Sequence, residues 1–188
     1  MLETPEELAR LQSLLDASHA RATDHLRGII HDDRTLSAAQ VAALLPGMKV
    51  ISVATVTAHG EPRISAMDGH FLHGTWTFST SRTAAKARHL AARPGVSVAH
   101  VDGEQLAVFS HGRAVELEGD ELAAVDQHWT AHYGSSPLSG AMSSCTASSR
   151  AGWWATPSGV PSSSRSAVCR PERRPTCARV PDSVGGGT

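Results

Sequence analysis

No run of about 18 consecutive apolar residues occurs in this 188-residue chain, so no membrane-spanning helix is expected. The opening segment, MLETPEELARL, is acidic and lacks the basic-then-apolar order of a signal peptide, which makes the cytoplasm the expected location. Cysteine is scarce: Cys145, Cys169 and Cys177 form an odd, widely spaced set, with neither a disulfide framework nor a zinc signature. Charge of one sign is lacking too. The net charge of −1 gives no global attraction to nucleic acid or to an anionic membrane, and leaves small molecules and other copies of the chain as partners. That balance hides an asymmetry. From Ser139 onward there are six arginines against two acids, Glu172 and Asp182, so the tail is basic and the front is acidic.

The same tail lacks Leu, Ile, Phe and Tyr altogether after Leu138. A segment dominated by Ser, Arg, Pro and Gly buries too little apolar surface to offset its ordering entropy, so 139–188 is expected to be disordered. Two origins are open. One is a native disordered tail. The other is a frameshift near Ser139: GAMSSCTASSRAGWWATPS has a back-translation that, read from one nucleotide earlier, gives WGDVVLYRLEPGWMVGYAF, with a strand-like core and an aromatic ending.

The rest of the chain has the length of one domain with extensions. Residues 4–30 read as helix, with Thr4 as N-cap, Pro5 at the first helical position and Glu6 and Glu7 in the first turn; Leu8, Leu11, Leu14 and Leu15 share a face. Ser37 through Gln40 resembles a capping box opening a short helix that ends at Pro46-Gly47. The period then changes. Strands are expected over 50–57, 63–67, 75–80 and 96–101, with one long or two broken strands over 106–117. Turns are expected at 59–62, Asp68-Gly69, His73-Gly74 and Asp102-Gly103. A helix over 83–90 interrupts the strands, and another over 120–133 carries Leu122, Val125 and Trp129 on one side. Short strands, tight turns and a helix inserted mid-sheet give a mostly β, α+β chain built on a small antiparallel barrel. The expected organisation is a helical extension over 1–46, a barrel over 47–138 and the tail.

The stretch with chemistry in it is FSTSRTAAKARHLAARP, from Phe78 to Pro94. A strand ends at Thr80, Ser81 or Thr83 is positioned to cap the next helix, and Lys86 lies about one turn inside it. A helix N-terminus offers free N–H groups and partial positive charge, a natural phosphate site. Hydroxyls from Ser79, Thr80 and Ser81 add donors, and Arg82 and Lys86 add charge. A capped surface helix with solvated cations is the alternative.

This spacing resembles the pyridoxamine 5'-phosphate oxidase-like superfamily: an aromatic-x-Thr, a Ser/Lys/Arg cluster, then Leu and a closing Pro. ATVTAHGEPRISAM resembles that superfamily's first hairpin with its Gly-x-Pro turn, and GVSVAHVDG and LAVFSHGRAVEL resemble its later strands. The match spans about 47–133. The resemblance implies a split barrel of FMN-binding type, usually a homodimer with the cofactor at the subunit interface. It implies that Lys86 holds the cofactor phosphate, that Thr80 and Ser81 sit beside it, and that Arg63, Ser65 and Met67 line the ring or ribityl chain. Where members often show Ser-Arg-Lys, this chain has Ala84-Ala85-Lys86, so only the lysine is kept.

Other chemistries find less support. Eleven histidines invite a metal reading, but none forms an i, i+4 pair with an intervening carboxylate. His70 and His73 straddle a turn and His128 and His132 share a helix face; surface histidines are the default and no metal site is expected. Ser110-His111 has no partner implying a triad, and Asp68 before Gly69 reads as turn chemistry rather than a general base. The expected function is an FMN-dependent oxidoreductase, with 8-hydroxy-5-deazaflavin as the alternative cofactor. Hydride transfer would then be the cofactor's chemistry, and no protein acid–base set need stand out. The rival is a non-catalytic flavin or heme carrier or sensor on the same barrel.

Overall fold

The computed structural model describes residues 2–30 and 34–139 in full and 142–157 as backbone. Three helices come first: α1 (Pro5–Ala20), α2 (Asp24–Ile29) and α3 (Ala38–Leu44). Both capping boxes form, Thr4 with Glu7 and Ser37 with Gln40. The helix expected over 4–30 is two helices. Arg21 ends the first, and Thr23 caps the second by accepting from the Leu26 N–H, a polar cap that a continuous periodicity conceals.

Six antiparallel strands follow in the barrel order β1-β2-β3-β6-β5-β4. They are β1 (Met48–Val56), β2 (Pro62–Leu72), β3 (Thr75–Ser81), β4 (Gly95–Asp102), β5 (Leu106–Glu116) and β6 (Met142–Pro157). Helix α4 (Ala85–Ala92) joins β3 to β4, and α5 (Gly119–Tyr133) follows β5, closing on Gly134 at φ 78°. The chain is therefore a small antiparallel barrel with flanking helices, the class expected from the sequence. Among the described residues no helix is long and apolar enough to cross a membrane.

Two turns were expected around residues 68–74, and only the second forms. His73 and Gly74 turn at φ 54° and 75°, whereas Asp68-Gly69 continues β2, with Gly69 opposite Lys49 on one side and Phe78 on the other. The glycine is there for space. A Cβ on Gly69 would lie 2.5 Å from Ile51 Cδ1. β5 is one strand with a register irregularity between His111 and Arg113, at Gly112, which reconciles the two readings of that stretch.

Part of the tail is described as backbone only. The backbone of Met142–Pro157 pairs with β3 (Trp76↔Ala147 to Ser81↔Met142) and with β5 (Leu106↔Pro157 to Glu116↔Cys145). The free N–H and C=O groups along β3 and β5 are thereby paired with the backbone of this segment. Residues 158–188, with Cys169 and Cys177, and the side chains of β6, with Cys145, lie outside the described residues.

Alternation along the strands sends Ile51, Val53, Met67, Phe71, Trp76, Phe78, Val98 and Val108 inward. Leu11 and Leu15 of α1 and Val41 of α3 join the same core, so the N-terminal helices pack on the barrel. Fully burying such side chains contributes about 1.5–3 kcal/mol each. A second cluster, Leu72, Leu117, Val125 and Trp129, with Leu122 against it, seats α5 on the outer surface of the sheet by the face expected from its sequence.

Candidate functional site

The site is built where α5 leans over the ends of β2 and β3 and where α4 begins. A cavity of about 530 Å³ opens there, within the roughly 300–1,000 Å³ of small-molecule sites. One end is formed by Ser79, Thr80, Ser81, Ala84 and Lys86, and the other by Asp68, His70, Trp129 and Tyr133; Ala66 and Met67 also line it.

The first end owes its form to the way α4 starts. Neither Ser81 nor Thr83 caps the helix. The N-cap is Ala84, which has no side chain able to accept a hydrogen bond. Ser81 instead folds the approach, accepting from the Thr83 N–H at 3.3 Å and sharing a 2.8 Å hydrogen bond with the Thr83 hydroxyl. The first-turn N–H groups of α4 are thus left without a side-chain cap beside half-buried Lys86, which makes no ion pair among the described residues. An uncapped helix start, a lysine and two hydroxyls meet an anion's needs.

Of the residues expected to hold a cofactor, Met67, Ser79, Thr80, Ser81 and Lys86 come together in this cavity. Arg63, Ser65 and Arg82 are not among its lining residues: Arg63 pairs with Glu61 at 2.8 Å, and Arg82 lies 3.6 Å from Glu116. The pleat explains part of the difference. Arg63, Ser65 and Met67 share one strand face, whereas Ala66, Asp68 and His70 share the other; the cavity takes Met67 from the first face and all three from the second.

The second end was not foreseen. His70, expected at the surface, is 1% exposed. Its Nδ1 lies 3.1 Å from His128 Nε2 and its Nε2 lies 3.0 Å from the Tyr133 hydroxyl. His132 packs edge-on with ring centroids 5.0 Å apart. Burial, then the neighbouring His128 and His132, push His70 down to about 4, so it is neutral at pH 7. Burial, then His132 and His73, lower His128; burial, then Asp68, raise Tyr133. The Trp129 indole N–H is buried without an acceptor among the described residues. The available signal was the conjunction of two patterns: His128-Trp129 and His132-Tyr133 one turn apart on a helix, and Asp68 and His70 on one strand face. Among the described residues, no group of three His, Cys, Asp or Glu side chains has a metal-binding arrangement.

Comparison with known proteins gives a consistent picture. A family model described as pyridoxamine 5'-phosphate oxidase matches residues 37–162. No curated protein matches. Among solved structures, the chain is similar to the conserved hypothetical protein Rv2991 from Mycobacterium tuberculosis, at 20% identity and TM-score 0.59, over 73% of this chain and 97% of that one. It is similar to HutZ, the heme storage protein from Vibrio cholerae, at 20% identity and TM-score 0.51, over 63% and 93%. A heme binding protein from Mycobacterium smegmatis matches at 25% identity and TM-score 0.50, over 65% and 59%.

Proposed function

Because the chain belongs to the pyridoxamine 5'-phosphate oxidase family, we propose that it is an oxidoreductase that binds FMN in this cavity, phosphate at the Lys86 end, and acts on a small molecule. The observation that carries the reading is the uncapped start of α4, with Lys86, Thr80 and Ser81 around it. When bound, FMN supplies the hydride chemistry. The chain binds and orients it: Lys86 and the α4 N–H groups hold the phosphate, and Thr80 and Ser81 donate to its oxygens. A phosphorylated 8-hydroxy-5-deazaflavin is the alternative cofactor for the same end.

The sheet supports a homodimer with the cofactor between subunits. Ala66, Ser52, Ala99 and Phe109 lie opposite one another in a row across β2, β1, β4 and β5, with Ile64 and Ala54 in the next row. Ile64 is 74% exposed, and Val50 and Val101 are also exposed. Such an exposed face of small and branched residues suits a second copy. Ala66 belongs both to this face and to the cavity, so a partner seated there would help wall the cofactor.

Heme is the weaker reading. The histidine in the cavity wall, His70, has both ring nitrogens within hydrogen-bond distance of other side chains, and neither His128 nor His132 lines the cavity. The test is titration of FMN with the full chain, followed by flavin fluorescence. Lys86→Ala should weaken binding by about 1.5–3 kcal/mol, the scale of hydrogen bonds to charged groups, while leaving the melting temperature in place. Equal affinity in parent and variant would remove the phosphate from this end of the cavity.

A further inference from the structure

At the far end of the cavity from Lys86, three polar side chains stand in a line that the cofactor reading leaves unused. Tyr133 and His70 line the cavity, whereas His128 does not. The contacts run from the Tyr133 hydroxyl to His70 Nε2 at 3.0 Å, and from His70 Nδ1 to His128 Nε2 at 3.1 Å. We propose that His128, His70 and Tyr133 are a proton relay, passing a proton from half-buried His128 to a heteroatom of the ligand beside the Tyr133 hydroxyl.

The relay has two arrangements, and the protons balance between them. In the first, His128 has taken a proton from water, against the burial and the neighbouring His132 and His73 that disfavour its charge, and donates from Nε2 to His70 Nδ1. His70 then donates from Nε2 to the tyrosine oxygen, and the phenolic hydrogen points to the ligand. Transfer to the ligand moves each proton one place along. Tyr133 keeps a hydroxyl by taking the proton from His70 Nε2, His70 takes one at Nδ1 from His128, and His128 is left neutral with its proton on Nδ1. The positive charge leaves His128 and arrives with the proton on the ligand heteroatom, while Tyr133 and His70 keep their charge, and His70 never becomes an imidazolium, the form its burial disfavours. Proton exchange with water then restores His128. The groups facing the line are Asp68 and His70 from β2, and His128, His132 and Tyr133 from α5. His73, from the turn after β2, also acts on His128 and is itself paired with Glu7 of α1 at 3.1 Å.

The proposal rests on the cofactor reading only for what receives the proton, so the test has an arm for each. Heteronuclear NMR of the imidazole nitrogens in the full chain reads the tautomer of each ring. In the parent chain without ligand, His70 should show nitrogen shifts averaged between the two tautomers. Tyr133→Phe removes the partner at Nε2 and should collapse that average to one tautomer, moving the His128 resonances with it; His128→Gln should do the same from the other side. A single fixed His70 tautomer in the parent, or His128 resonances indifferent to Tyr133→Phe, overturns the relay. FMN is then added, with binding followed separately by flavin fluorescence. Bound FMN should shift His70 toward the Nε2–H form, because Tyr133 now donates to the ligand. Bound FMN that leaves the His70 average untouched overturns the relay. FMN that does not bind refutes the cofactor reading instead, and the ligand-free spectra still decide the relay.

Discussion

His70 carries the most information of any single residue. A histidine read at the edge of a supposed turn is a surface group by default, and the ring pairs of α5 at 128–129 and 132–133 point to a cover for it only once β2 is carried past Gly69. Only the correct continuation of β2 through Asp68-Gly69 puts it on the strand face beneath α5. Its consequence is measurable. The folded value near 4 lies below the ordinary 6.5, so in acid the unfolded chain takes up a proton that the native chain refuses. This costs nothing above about pH 6.5. Stability is lost progressively as pH falls from there toward 4, by at most about 3 kcal/mol at 1.36 kcal/mol per pKa unit, and the loss levels off below. Denaturant melts of the parent and His70→Gln across that range should differ in slope, with the variant flatter. Superimposable slopes would show that His70 is not held neutral. Lys86, by contrast, lies where the sequence pattern puts it, at a strand-to-helix junction, and there it lines the cavity.

At the scale of elements, existence and type could be read wherever periodicity was strong: the leucine face of α1, the capping box of α3, the β-branched run of β1. What could not be read was where an element begins when its cap is absent. Ser81 and Thr83 are both good caps by type, yet the helix starts after Ala84, because Ser81 is already committed to Thr83. That vacancy is the basis for assigning the anion end of the cavity, and it can be filled on purpose. Ala84→Ser places a hydroxyl where it can accept from the first-turn N–H groups of α4, which should raise stability by about 0.5–2 kcal/mol. The same hydroxyl competes with a phosphate for the same donors, so FMN affinity should fall as stability rises. A variant that gains stability with unchanged affinity would show that those N–H groups do not hold the phosphate.

At the scale of the whole molecule, two surfaces of the barrel can be tested directly. The first is the face around Ile64. Ile64→Asp puts a charge on it and should shift sedimentation from dimer to monomer; a parent chain that already sediments as a monomer overturns the dimer reading. The second is the slot between β3 and β5, which the backbone of β6 occupies with MSSCTASSRAGWWATP. A strand between two others earns little from its ladder alone, because folding exchanges water hydrogen bonds for internal ones at a net gain of about 0.5–1.5 kcal/mol each. The larger gain comes from large apolar side chains, which in this segment are Met142, Trp153 and Trp154, with no Leu, Ile, Val, Phe or Tyr. The alternative reading frame offers the same slot VVLYRLEP followed by an aromatic ending, with the β-branched and aromatic composition that strands favour. If the given tail is a frameshifted one, a chain continuing from Ser139 as WGDVVLYRLEPGWMVGYAF should melt higher and bind FMN more tightly than the chain ending at Thr188. Both are to be expressed and compared by thermal melting and flavin fluorescence. A lower melting temperature for the replacement would mean that the β6 sequence is the one this barrel was selected to hold.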